Sequence, residues 1–382
     1  MRGDKKAINI ILAIIGFVLV FGLLVIGSVT VIEYYNGLNK IDFHMAPKES
    51  DQQEVPPESS MGNFDYYFAL NDNEKKAYDQ VSEMLDNFKT KADVADISQE
   101  EMDHVLIAVQ NDHPEYFWVG DFSYFGSEKT NSVNEVRVKY PYDEAEKKQR
   151  QAEIDAEYEN FTMNLTPGMD EYQKVKYVYE YVIKNTRYAS DPLDDQNIYS
   201  VFGKNESVCA GYAKSTQYLL KRMGMDASYV TGVVAGQEAH AWNIVRIDGE
   251  YYYLDTTWGE LDNESSSEPE KNITYDFFCV TTEDLLKTHT IDESIVQYPA
   301  FTATKANYFV KENKIFDLNT RADRDRLTAD LRTAINNQEK YYHFKLADPE
   351  TLETAAGLIG DELGSFSWYQ GENKLSNTVV LY

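Results

Sequence analysis

Cys209, His240 and Asp255 are of the types, and stand in the order, that nucleophilic acyl chemistry requires. A thiolate attacks a carbonyl carbon. An imidazole takes the thiol proton and returns it to the leaving group, while a carboxylate holds the imidazole in the right tautomer. Cys209 lies in Ser-Val-Cys-Ala-Gly-Tyr-Ala, ahead of Tyr212, Thr216, Leu219, Leu220 and Met223 at helical spacing, with Gly224 as a stop. The thiol is therefore expected on the first turn of a helix, where unpaired N–H groups and the helix dipole favour a thiolate. Gly211, lacking a Cβ, would let another segment or a substrate pass close to the nucleophile.

His240 and Asp255 flank a predicted hairpin. Ala241–Ile247 and Glu250–Trp258 are joined by Asp248-Gly249, the pair favoured in a two-residue type I′ turn. That turn sets Ile247 against Glu250, hence Trp242 against Asp255 and His240 against Thr257. Side chains alternate along a strand, so His240, Trp242, Tyr253, Asp255 and Thr257 share one face. His240 and Asp255 become diagonal neighbours, about 7–8 Å apart at Cα and within reach of a side-chain hydrogen bond. A slip of one residue would put them on opposite faces. Trp242 and Trp258 are expected to wall the site, and Asn243, on the other face, to satisfy backbone groups. For the oxyanion, the backbone N–H of Cys209 is one donor, and Tyr199 or Gln196 upstream is the candidate for the other.

The blocks Cys209-Ala-Gly-Tyr-Ala, His240-Ala-Trp-Asn and Asp255-Thr-Thr-Trp, in that order, resemble the transglutaminase-like superfamily over about residues 170–288. The resemblance implies an α+β fold with a papain-like core, in which the helix bearing the cysteine packs on an antiparallel sheet. It implies Cys209 as nucleophile, His240 as base and Asp255 as orienting carboxylate. The activity implied is attack on an amide bond through an acyl-thioester. Water as acceptor makes a cysteine peptidase or amidase, and an amine makes a protein-glutamine acyltransferase. The substrate would be a peptide, a protein or a peptidoglycan peptide. A catalytically idle binding or scaffold protein of the cell surface is the competing reading; the long flanking units speak for it and the three intact blocks against it.

The elements around this core divide the chain. Ala7–Ile32 is free of charge and as a helix would extend about 39 Å, enough for a hydrocarbon core of about 30 Å. Arg2, Lys5 and Lys6 precede it, so residues 1–6 are expected in the cytoplasm and everything after residue 32 outside. The stretch is too long for a signal-peptide core and no Ala-x-Ala site follows, which favours an uncleaved, single-pass anchor in the cell membrane. Residues 33–60, with Pro47, Pro56 and Pro57, read as a tether. An α+β unit over 61–142, the catalytic core over 143–302 and a C-terminal α+β unit over 303–382 complete the expected organisation. Within them, Ser98 and Glu101 form a capping box, Phe117–Phe125 and Val133–Tyr140 read as a hairpin, and Asn307–Asp317 reads as another around Glu312-Asn313. Flanking segments are similar to those of outward-facing proteins of Gram-positive bacteria that carry this core.

Composition narrows the partners. The chain has 64 acidic and 36 basic residues, a net charge of −28, which excludes a phosphate-neutralising nucleic-acid surface. Two cysteines, Cys209 and Cys279, make no disulfide framework, and Cys279 in Phe-Phe-Cys-Val reads as buried. The six histidines are scattered without metal-ligand spacing, so neither a metal nor another cofactor is expected. The acidic stretch Glu260–Asn272 reads as a solvated turn ahead of a buried strand over Thr274–Val280.

Overall fold

The computed structural model of the chain describes residues 64–127, 131–189, 195–234, 238–260, 273–371 and 376–381. The expected span at 7–32, the tether at 33–60 and nearly all of the acidic loop after Glu260 lie outside the described residues. Among the described residues no helix is long and apolar enough to cross a membrane.

The first elements are α1 (Asp72–Asp86), β1 (Lys91–Ser98), α2 (Gln99–Asp112), β2 (Phe122–Ser127) and β3 (Ser132–Val138). Both helices start on capping boxes. Asn71 exchanges hydrogen bonds with Glu74, and Ser98 with Glu101, satisfying N–H groups that the helices leave open. The strands form an antiparallel sheet in the order β1-β3-β2. The expected hairpin is present with a shorter first arm. Residues 117–118 form a turn and 119–121 are irregular, because Phe117 and Trp118 bury themselves against the core instead of continuing the ladder. The strand β1 was not expected from its polar sequence.

Next come α3 (Glu144–Met163), α4 (Glu171–Asn185), β4 (Arg187–Tyr188), α5 (Ile198–Phe202), β5 (Glu206–Ser207) and α6 (Cys209–Arg222), then β6 (Ala227–Val234), β7 (Glu238–Ile247), β8 (Glu250–Leu254), β9 (Phe278–Val280), α7 (Thr282–Leu285) and β10 (His289–Ile291). The five longer-range strands build an antiparallel sheet, β10-β6-β7-β8-β9. The helix α4 buries Tyr172, Val175, Val178, Tyr179, Val182 and Ile183, a stripe at helical period. Gly224, at φ +73°, takes the left-handed conformation that stops α6 where expected. Asn243 reaches from β7 to donate to Ala213 O at 3.0 Å, and the Thr216 and Thr256 hydroxyls meet at 3.1 Å. The cysteine helix is thus pinned on the antiparallel sheet by buried polar contacts as well as by packing.

Most of the buried apolar residues from Tyr66 to Phe309 form one large cluster, with a satellite of Val230, Trp242, Tyr253 and Phe277 among others on the opposite face of the five-stranded sheet. The N-terminal α+β unit therefore shares its core with the segment that follows. A second cluster collects the C-terminal unit from Phe316 to Leu381. Ahead of it, α8 (Tyr308–Lys311) packs Phe309 into the first cluster; then come β11 (Ile315–Phe316), α9 (Arg321–Asn336), β12 (Tyr341–Leu346), α10 (Leu352–Leu363), β13 (Ser367–Gln370) and β14 (Ser376–Val380). The hairpin expected at Asn307–Asp317 is not formed. Asn307 caps α8 by accepting from Phe309 N, and β11 pairs in parallel with β12. The Glu312-Asn313 turn, with Asn313 at φ 53°, closes a helix instead of joining two strands.

The seam between the two clusters is aromatic. Tyr275 stacks on Tyr308 at 3.7 Å, and His343 sets its ring edge-on to Tyr275 at 5.1 Å. Tyr172 donates to Glu312 Oε1 at 2.9 Å. Burial pushes the His343 imidazole down to about 4, against the pull of Glu180 and with the help of Lys176 and Lys314. A depressed folded-state value means the stabilisation is complete above the unfolded value of about 6.5 and is lost as pH falls toward about 4. His343→Asn, which keeps a polar partner for Thr378 and cannot ionise, should therefore lose less stability than the native chain between pH 7 and pH 5. The expected difference is about 1 kcal/mol, discounted for partial solvent screening. Thermal melts of the two chains at both pH values check it, and parallel losses would exclude His343.

Candidate active site

Cys209 opens α6. The N-cap is Val208, which supplies no side-chain acceptor, so the helix itself leaves its first N–H groups to serve a charge at Cys209. The preceding segment is clamped from behind. Val208 N donates to Asp195 O at 3.0 Å, Ser207 Oγ donates to the same oxygen at 2.8 Å, and the Ser200 and Ser207 hydroxyls lie 2.6 Å apart. Gly211 makes room for this clamp: a Cβ there would stand 1.9 Å from Ser207 Oγ and 2.7 Å from Ser200 Oγ. The close approach that its glycine permits is by this chain's own serines. Gln196 lies next to Asp195, on the segment bound to the approach to Cys209. Tyr199 is engaged elsewhere; its hydroxyl donates to Glu153 Oε2 at 2.7 Å, with the Arg150 guanidinium 4.3 Å above its ring.

The β7–β8 hairpin has the expected register, from Ile247 against Glu250 to Asn243 against Leu254. Asp248 and Gly249 both take positive φ, 52° and 86°, as a type I′ turn demands. The second strand is shorter than expected. It ends at Leu254, and Asp255 begins a turn that its own carboxylate organises: Oδ1 accepts from Thr257 N at 2.8 Å and Trp258 N at 3.1 Å. The other oxygen, Oδ2, lies 2.7 Å from His240 Nε2. An ionised carboxylate only accepts, so His240 donates from Nε2. Its remaining ring nitrogen, Nδ1, is left for Cys209, which is among the groups that raise this ring.

Both partners are secluded, the His240 side chain 5% exposed and that of Asp255 fully buried. Burial by itself would push the imidazole down. The charge and hydrogen bond of Asp255, with a smaller contribution from Cys209, outweigh it and raise His240 to about 10. Burial likewise opposes ionisation of Asp255, and the rings of His240 and His289 overcome it, holding the carboxyl well below the usual carboxylate range. Trp242 and Trp258 lie 5.9 and 5.8 Å from the His240 ring and wall it from solvent. The arrangement can shuttle a proton between a thiol and a leaving group in a largely dry pocket.

His289 is the residue of this site that the sequence analysis missed. It stands on β10, at the sheet edge opposite to β9, and sets its Nε2 3.2 Å from the same Asp255 oxygen. No spacing rule joins positions 240, 255 and 289; only the pairing of β10 with β6 does. Potential ligand atoms of His240, Asp255 and His289 lie within 4.8 Å of one another. The separations of 2.7 and 3.2 Å at Oδ2 are those of hydrogen bonds. A zinc ion about 2 Å from each tetrahedral ligand would space the ligands about 3.3 Å apart and would have to displace both shared protons.

No curated protein matches the chain. Among solved structures it is similar to a TGase at 15% identity and TM-score 0.27, covering 42% of this chain and 50% of that one. It is similar to a candidate cysteine protease from Cytophaga hutchinsonii at 15% identity and TM-score 0.24, covering 36% and 61%. A third likeness is to menin, in a structure showing its binding site for Mixed Lineage Leukemia (MLL) protein, at 18% identity and TM-score 0.22, with 32% of each chain covered. Over residues 159–256, a segment that contains Cys209, His240 and Asp255, the chain matches the family model of the Transglutaminase-like superfamily.

Proposed function

We propose that the protein is a thiol enzyme that attacks amide bonds through Cys209, with His240 as base and acid and Asp255 as orienting carboxylate. The observation that carries this reading is the chain of contacts itself. One nitrogen of the His240 imidazole is held at 2.7 Å by a buried, ionised carboxylate, which leaves the other for the partly exposed thiol of Cys209, a group that helps raise this ring. The proton of Cys209 passes to His240 Nδ1, and the sulfur adds to the carbonyl carbon. The oxyanion is received by the N–H of Cys209, with Gln196 as candidate second donor. Collapse breaks the C–N bond, His240 returns the proton to the leaving amine, and an acyl-thioester remains on Cys209. Attack by water, its proton taken by His240, then releases the acid and restores the thiol. An amine in place of water would give transamidation. Hydrolysis asks less of the pocket, and a peptide, including a cell-wall peptide, is the substrate class that this reading favours. The basic residues before the uncharged stretch at 7–32 place the enzyme outside the membrane in the same proposal.

Trapping is the direct test: mass spectrometry of Cys209 after exposure to protein or cell-wall digests should find an acyl group there. A native chain that never acquires one is an idle scaffold. His240→Ala, folded by circular dichroism, should lose about 10²–10⁴-fold in turnover; near-native turnover would remove His240 from the mechanism. With His240 raised to about 10, the imidazolium that acylation needs persists through neutral pH. The alkaline limb of kcat/KM is accordingly expected near pH 10, and a limb near pH 7 would contradict the assignment.

The two cysteines should separate cleanly. Cys279 is fully buried, and burial pushes its thiol well above its ordinary value, whereas Cys209 is partly exposed beside His240. Iodoacetamide at neutral pH should modify Cys209 in the native chain and reach Cys279 only after denaturation. Equal rates by peptide mapping would count against a thiolate at Cys209. Finally, protease applied to intact cells should remove the globular part, and full protection would refute the outward orientation.

A further inference from the structure

The carboxylate behind His240 serves a second ring. His289 brings its Nε2 to 3.2 Å from Asp255 Oδ2, the oxygen that sits 2.7 Å from His240 Nε2. Because an ionised carboxylate only accepts, His289 too presents an N–H at Nε2. Its other nitrogen, Nδ1, lies 2.8 Å from Thr288 Oγ1, so the hydroxyl fixes the tautomer from behind. The ring is fully buried in a box of Trp258, Trp242 and Phe277 at 4.8, 5.0 and 5.1 Å. Gly232 on β6 admits this packing: a Cβ there would meet Thr290 O at 2.0 Å and the Trp242 ring at 2.6 Å. An aromatic box of this kind suits a phenylalanine. Placing an imidazole in it costs desolvation of two polar atoms unless both are used, and here both are.

We propose that His289 is a positioning residue of the thiol site that acts through Asp255: its Nε2 hydrogen pins Oδ2 between two rings and takes up part of that oxygen's charge, so that the carboxylate orients His240 while holding its proton less tightly than it would alone. This rests on the reading of Cys209 and His240 as the reacting pair. The physical basis is a shared acceptor. The positive end of the His289 N–H dipole lies close to the His240 imidazolium and opposes it, so the carboxylate holds the imidazolium less tightly than it would alone. The groups facing His240 are Asp255 and Cys209, with the His289 ring 5.5 Å away. Those facing Asp255 are the two imidazoles, the N–H groups of Thr257 and Trp258, and Tyr179, whose hydroxyl donates to Thr274 O.

The test uses the full chain in detergent micelles and reads the rate of Cys209 alkylation by iodoacetamide across pH, with peptide mapping. His289→Phe keeps a ring in the box and removes the donor; His289→Gln returns an N–H at comparable reach. Without the donor, the whole charge of Asp255 acts on His240, the imidazolium forms more readily, and the thiolate beside it appears at lower pH. The alkylation midpoint of His289→Phe should fall by about one pH unit, and His289→Gln should restore the native midpoint. A purely structural role would lower melting temperatures and leave the midpoint in place. A midpoint for His289→Phe at or above the native value, or His289→Gln matching His289→Phe, overturns the proposal. Should His289→Phe fail to fold, ¹⁵N NMR of the histidine-labelled native chain decides. A protonated Nε2 at His289 is expected, and a bare Nε2 with the proton on Nδ1 overturns it. Alkylation needs no substrate. A shifted midpoint in a chain that turns over no amide would sink the enzymatic reading alone, and turnover with an unshifted midpoint would sink this inference alone.

Discussion

A single buried carboxylate organises the candidate site. Asp255 is removed from water, and an unpaired carboxylate in that position would cost several kcal/mol or lose its charge. Four donors prevent that: the backbone N–H groups of Thr257 and Trp258 on one oxygen, and the rings of His240 and His289 on the other. These four donors come from three different constraints. The backbone pair exists because β8 ends at Leu254 and the chain turns. His240 arrives through the hairpin register, and His289 through the pairing of β10 with β6. Removing any one would leave part of the carboxylate unsatisfied. That is why the turn, the hairpin and the sheet edge have to be in place together before the imidazole next to Cys209 is oriented.

The turn that carries Asp255 is held from below by α4. The Tyr179 hydroxyl donates to Thr274 O at 2.8 Å, and Thr274 N donates to Gly259 O at 2.8 Å. A Cβ at Gly259 would lie 2.3 Å from the Tyr179 hydroxyl and 2.4 Å from Ile183, so the chain passes over the helix at a distance only glycine allows. The cysteine helix is docked on the same sheet through Asn243 and the Thr216–Thr256 pair. The Cys209 helix and the Asp255 carboxylate are therefore both referred to one sheet. The geometry between them does not depend on a mobile surface loop.

What could be read from the sequence follows from how local each constraint is. The hairpin was legible because Asp248-Gly249 admits one turn type, and the turn type carries the register out to His240 and Asp255. The helix start at Ser98 was legible because a capping side chain acts within four residues. The strand β1 was not: Lys-Ala-Asp-Val-Ala-Asp-Ile-Ser buries only Val94 and Ile97, too few apolar positions to stand out. The parallel pairing of β11 with β12 and the arrival of His289 at Asp255 were illegible for a different reason. Both are set by contacts about thirty residues distant in the chain, and no turn transmits them.

The second cysteine also finds its place in this frame. Tyr253 pairs with Val280 and Leu254 with Phe278, so Cys279 is the extra residue of a bulge in β9. Its φ of 53° lies in the left-handed region, a strained conformation for a residue with a side chain, and it is fully buried. A bulge bends its strand and increases the local twist. Here it falls opposite the last two residues of β8, immediately before Asp255 leaves the sheet, and Asp255 N then donates to Phe277 O on the far side of the bulge. Without the extra residue the ladder would continue in register, and Asp255 would extend β8 as one more paired position. The bulge at Cys279 thus coincides with the end of β8, one residue before the carboxylate that faces His240.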